Sequence, residues 1–188
     1  MFGTVLWYVR DYVDMTPLNQ AVNSFLSIFV SDPSWKFDVE HVTVINAGVI
    51  IVLQLIVSNI VKKWAALPTM ITGIALGTAG MGILSLSTSP WIFITGIMIF
   101  TLGEMTTHPK FISYIGLIAP PDKKALYLGY SFLYGVIGSS IGGFLGSRLY
   151  VKYVDNLGQP STLWMILTFI GIFSIVSLMI YNKLVAKR

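Results

Sequence analysis

Cysteine is absent from the 188 residues, and only 11% of them are charged. The first absence excludes disulfides and thiolate metal sites. The second excludes an ordinary soluble domain, in which about a quarter of the residues carry charge. Metal and nucleotide signatures are missing too. The chain has no H-x-x-x-H or E-x-x-H pair for a metal centre and no G-x-x-x-x-G-K-[ST] for an ATP motor. An energy source, if one is used, is then an ion gradient and no bound cofactor is expected. No signal peptide is expected either, because Arg10, Asp11 and Asp14 interrupt the first apolar run where its core would have to continue.

What the chain has in abundance is apolar sequence, with 55% hydrophobic residues and a mean hydropathy of +0.77. Five stretches approach or exceed the roughly 20 residues needed to cross a bilayer. They run from about Val42 to Val61, Leu67 to Leu86, Trp91 to Ile118, Ala125 to Tyr150 and Thr162 to Tyr181. The third and fourth are longer than a bilayer requires, so they are expected to tilt or kink, and Pro109 is a ready cause in the third. Residues 1–13 are apolar and aromatic but too short to span. They read as the end of a truncated transmembrane helix, the bland alternative being a genuine five-helix protein. Residues 14–41 read as an extracytoplasmic loop with a short amphipathic helix, and 42–188 as a five-helix bundle.

The net charge of +4 does not mark a nucleic-acid patch, since the basic residues gather at the ends of the apolar stretches. Lys62, Lys63, Lys123, Lys124, Lys183, Lys187 and Arg188 fall on one side when the spans alternate; Arg10, Lys36, Arg148 and Lys152 fall on the other. Positive charge accumulates on the cytoplasmic side, which predicts a multi-pass inner-membrane protein with a cytoplasmic C-terminus.

Within the spans, glycine and a few polar groups stand out. Gly73 and Gly77 form one G-x-x-x-G, and Gly138, Gly142 and Gly146 form two more on one stripe. Such spacing lets helix backbones approach in lipid, and packing is the expected role. Glu104 is the acidic residue set deep in an apolar span. A carboxylate there is costly unless paired, protonated or facing water, so it marks a substrate or proton pathway ahead of a purely structural bridge. His108 lies at i+4 on the same helical face, where a His and Glu pair can exchange a proton, although it can equally fill the polar break before Pro109. Gln54 sits mid-span with Asn46 and Asn59 on either side and must find partners inside the bundle. Phe100, Tyr114, Tyr130, Phe132 and Tyr134 are candidates for lining a cavity, most such aromatics being packing or interfacial belt. Lys110 lies about 240° around the helix from Glu104 and should reach toward the interface instead.

These residues carry a family resemblance. Thr101-Leu102-Gly103-Glu104, then Pro109, Ala119-Pro120, the run from Leu128 to Leu133 and the glycines from Gly138 resemble helices ten and eleven of the proton-dependent oligopeptide transporters, within the major facilitator superfamily. Ile51-Val52-Leu53-Gln54 to Ser58, with Lys62-Lys63 and Pro68, resembles helix eight running into helix nine. The resemblance implies an all-α integral membrane fold, half of a twelve-helix bundle, with the five spans as helices eight to twelve and the N-terminal stub as the end of helix seven. It further implies an N-terminal half as partner and proton-coupled symport of small peptides. Glu104 would help bind the peptide's amino terminus and take part in proton coupling. Gln54, His108, Phe100 and Phe132 complete the expected substrate and proton site. Two departures stand out: Ser131-Phe132 replaces an aromatic pair, and His108 replaces a small residue before the helix-ten proline. A facilitator for another solute such as a drug, or a non-transporting five-helix assembly subunit, remains open.

Overall fold

A computed structural model describes residues 2–184, so Lys187 and Arg188 lie outside the described residues. Eight α-helices follow one another: α1 (Phe2–Tyr12), α2 (Thr16–Leu26), α3 (Glu40–Val61), α4 (Ala66–Leu84), α5 (Pro90–Ile118), α6 (Lys124–Ser131), α7 (Leu133–Leu149) and α8 (Pro160–Leu184). Proline sets several of the starts. Pro90 and Pro160 are the first residues of α5 and α8, where the missing N–H costs nothing. By length and composition, α3, α4, α5, the stretch Pro121–Asp155 and α8 are each able to cross a membrane. Their large exposed side chains are apolar, as lipid contact requires. Ile51 and Leu55 on α3 and Phe173 on α8 are each about three-quarters exposed.

The fourth apolar stretch is not one helix. Ser131 Oγ donates 2.6 Å to the Leu128 carbonyl, and the Phe132 N–H turns to Gly129 O at 3.2 Å. The hydroxyl competes with the backbone ladder, and α6 gives way to α7 at that point. Beyond α7 the turn widens into a π-helical segment, Tyr150–Asp155. Gly158, at φ +62°, then reverses the chain into α8, a conformation glycine adopts without penalty.

Helices α4 and α5 make the closest contact in the bundle. A Cβ at Gly80 would lie 2.6 Å from Gly96 O, and one at Gly103 would lie 2.9 Å from the Gly77 Cα. Gly73 meets Gly103 in the same way, with 2.8 Å to its carbonyl oxygen. The seam is therefore antiparallel and seven residues in period, Gly73 and Gly80 facing Gly103 and Gly96. Lipid offers no hydrophobic drive for helix association, so this backbone approach, with its dispersion contacts, supplies the packing. Asn46 on α3 joins the same core by accepting a 2.5 Å bond from Thr101 Oγ1 on α5. Helix α8 closes on α4 where Gly171 meets Thr78.

Gly138 and Gly142 on α7 face open space, while Gly146 meets Thr4 Oγ1 of α1. One face of α1 (Val5, Tyr8 and Val9) is buried against Phe93, Leu84, Leu163 and Trp164. Tyr8 meets the Trp164 ring edge-on at 5.1 Å. Helix α2 carries Asn19 and Asn23 one turn apart, and they hold the following strap. Asn23 exchanges two 2.9 Å bonds with the Trp35 backbone, and Asn19 Oδ1 accepts the Phe37 N–H at 2.8 Å.

Candidate functional site

A cavity of about 870 Å³ lies among α3, α4, α5, α8 and the start of α7. Its size is that of a pocket for a drug-sized ligand. The α4–α5 seam forms one wall, because glycine at positions 73, 77 and 103 leaves the backbone bare there. Methionine and aromatic side chains fill most of the rest: Met70, Met81, Met105, Phe100 and Phe111. Methionine is flexible and polarizable, so such a wall adapts to differing apolar shapes.

Polar groups are few and converge from different helices. Gln54 comes from α3, Thr78 from α4, Glu104, Thr107 and His108 from α5, and Ser174 from α8. Glu104 is partly buried and makes no side-chain hydrogen bond among the described residues. His108 does not turn to Glu104; its Nδ1 lies 2.7 Å from the Tyr134 hydroxyl of α7. Phe111 packs edge-on to the Tyr134 ring at 4.6 Å, so this tyrosine ties α7 to α5 at the cavity rim. Gln54 Nε2 donates 3.0 Å to Ser58 Oγ one turn along α3. Among the described lining residues there is one carboxylate and no lysine or arginine.

The geometry thus brings Glu104, Gln54, His108 and Phe100 to one cavity and leaves Phe132 out. Phe132 stands about two-thirds exposed at the break between α6 and α7. Pro109 sits inside the continuous α5 and lines the same cavity. Lacking an N–H, it leaves the Met105 carbonyl without its helical donor. Lys110 points away, its Nζ donating 2.8 Å to Trp64 O and 3.3 Å to Lys62 O at the end of α3. Thr107 and Ser174 escaped the sequence reading, since a hydroxyl in an apolar helix commonly bonds to its own backbone. The three methionines carried no signal at all before α4 and α5 were paired.

The chain is similar to transporters of the major facilitator type. A Bacillus subtilis (strain 168) protein described as an uncharacterized MFS-type transporter, YttB, is 29% identical over 139 residues, covering 72% of this chain and 34% of the relative. The multidrug resistance protein MdtH of Aeromonas salmonicida (strain A449) is 26% identical over 58% of this chain and 27% of its own length. MdtH of Shigella sonnei (strain Ss046) is 31% identical over 53% and 26%. The chain therefore spans about a third or less of the length of the curated relatives it matches. No family model matches the chain. No solved structure matches it. The all-helical architecture with five membrane-length helices, and relatives that it covers in part, is consistent with half of a major-facilitator bundle. The similarity supports the superfamily; it does not single out the oligopeptide transporters.

Proposed function

We propose that the chain is the C-terminal half of a solute transporter, and that its cavity takes an apolar solute bearing a positive charge. The observation that carries this reading is the lining itself, a lone carboxylate, Glu104, set in a methionine and aromatic wall without a lysine or arginine. A cationic amine would compensate the cost of an ionised carboxylate in that setting, and a proton would do so when the solute leaves. Solute and proton then compete for one residue, and the proton gradient drives transport. An N-terminal half completes the site, because alternating access rocks one half against the other around a midplane cavity. In this reading the bundle is multi-pass in the inner membrane with its C-terminus in the cytoplasm, and α1 is the end of helix seven.

Small peptides are a second cargo, supported by the resemblance that places Glu104 at the position of the peptide-binding glutamate. A peptide also presents a carboxylate, and this half offers it no lysine or arginine in the cavity, while His108 is bonded to Tyr134. The lipophilic cation is accordingly the first choice.

The test uses the transporter that contains this chain, reconstituted in liposomes with an imposed proton gradient. Glu104→Gln mimics the protonated state and cannot release the proton. Gradient-driven movement of a lipophilic cation should fall by at least about 100-fold, with residual exchange surviving through the apolar wall. Wild-type accumulation by Glu104→Gln would make the carboxylate structural. Competition by dipeptides, without competition by lipophilic cations, would replace the first cargo by the second.

A further inference from the structure

A second concave surface lies away from the cavity, along the far part of α7 and the π-helical segment. It is a groove of about 490 Å³ lined by Phe144, Ser147, Arg148, Val151, Lys152 and Asn156, with Gly143 at its edge. Arg148 and Lys152 are exposed and four residues apart, and neither forms an ion pair among the described residues. The nearby acids are otherwise engaged or turned elsewhere. Asp11 is bonded to Arg10 at 2.7 Å and accepts the Tyr150 hydroxyl at 3.0 Å, and Asp155 makes no ion pair with Lys152 among the described residues. The Arg148 guanidinium lies 4.7 Å from the centre of the Phe144 ring, which holds it along the groove. The wider π-helical turn brings residues four apart closer to alignment, so Lys152 and Asn156 extend the same polar strip.

We propose that this groove binds a phosphate-bearing anionic phospholipid, the phosphate held by Arg148 and Lys152 with Ser147 and Asn156 as further donors. Charge complementarity and position select the lipid. The two cations lie near the end of the 35-residue apolar stretch Pro121–Asp155, where headgroups meet a membrane-length helix. Below them, Phe144, Ile141 and Ile137 continue exposed and apolar along α7, each more than half exposed, as an acyl chain requires. A free phosphate would use the first set of groups and leave the second bare. Arginine supplies planar, paired donors for two phosphate oxygens, and lysine a point charge.

The test is lipid retention by the full chain in phosphatidylcholine nanodiscs doped with phosphatidylglycerol, read by native mass spectrometry after stepwise activation. R148Q/K152Q should lower phosphatidylglycerol affinity roughly 10- to 30-fold, the loss expected for two basic contacts at an anionic surface. The charge-matched K123Q/K124Q should retain the bound lipid, and F144A should weaken it by a smaller factor. Unchanged retention in R148Q/K152Q overturns the proposal. Equal loss in both double variants also overturns it, because binding is then diffuse attraction to net charge. Displacement of the lipid by millimolar inorganic phosphate would make it a soluble-anion site instead. Displacement by an added N-terminal half would assign the two cations to a protein interface. Comparable phosphatidylcholine retention in all variants serves as the control for folding.

Discussion

The two ends of the bundle are built differently. At the end where α4 stops and α5 and α8 begin, α1 wedges between them and fills the space with Val5, Tyr8, Phe93, Leu163 and Trp164, all at most 1% exposed. Toward the lysine-rich end the same helices part around the cavity, and α7 is tied back by Tyr134 alone of its aromatic residues. One end is closed by close-packed aromatics, which have few alternative arrangements. The other is lined by glycine, methionine and single hydrogen bonds, which rearrange at small cost. A half that moves as a unit needs the first, and a site that admits solute needs the second.

Trp164→Ala should break the closed end most severely. The indole is fully buried against Tyr8, and removing a large aromatic from a packed site costs about 3–5 kcal/mol where the void cannot collapse. Unfolding of the chain in mild detergent, followed by circular dichroism, should show that loss. Ala at Phe111, beside the cavity, should cost much less. Equal losses at the two positions would erase the distinction between the ends.

Glycine sharpens the same contrast. Gly77 borders the cavity, and a Cβ there would meet Phe100 at an ordinary 3.7 Å, whereas one at Gly80 would press on Gly96 O at 2.6 Å. Gly77→Ala should therefore be nearly neutral, and Gly80→Ala should cost about 1–3 kcal/mol as the helices are forced apart. A melting comparison of the two variants decides the point. Equal behaviour would mean that the seam is looser than its geometry.

Asn46→Leu comes next. It removes the acceptor of the Thr101 bond between α3 and α5, and interhelical bonds of this kind in membranes average about 0.6 kcal/mol and reach about 1.7. The double-mutant cycle with Thr101→Val should return a coupling in that range. No coupling would show that Thr101 is satisfied by its own helix, through the 2.8 Å bond to Ile97 O.

Much of this architecture was legible before any coordinates. Backbone groups in lipid must be satisfied within a helix, so a long apolar run has little choice, and all five membrane-length stretches followed from composition. Glu104 and Gln54 stood out because a polar group in such a run must face something polar. The seam was only half visible. Gly73 and Gly77 form a local motif, but the operative spacing is Gly73 with Gly80 against Gly103 and Gly96, and it exists only once the two helices are paired. Phe132 enters the expected site as an aromatic within the resemblance to helix eleven, and the structure leaves it outside the cavity. The helix breaks at Phe132 between α6 and α7, beside the Ser131 hydroxyl bonded to Leu128 O. His108 and Tyr134 were each noticed, yet nothing in a single sequence joins residues 26 apart.

The smallest expected effect lies outside the membrane-length helices, at the entry to α2. Asp14 Oδ1 accepts the Thr16 N–H at 2.9 Å, and the hydrogen bonds from the Thr16 side chain and backbone hold this exposed carboxyl below its usual range. A depressed folded-state value fixes the sign. The contribution is present above the unfolded value, about 3.9, and is lost as pH falls through the lower folded value. Thr16 amide exchange, corrected for intrinsic chemistry, should therefore stay protected down to about pH 4 and lose protection below it. Asp14→Ala should remove the pH dependence while leaving the Asn19 and Asn23 bonds to the strap in place. Because the carboxyl is solvated, the global melting temperature should move little. If Asp14→Ala instead loosens the strap at Trp35 and Phe37, α2 and the strap fold as one unit governed from its first turn, and the closed end extends further than its aromatic core.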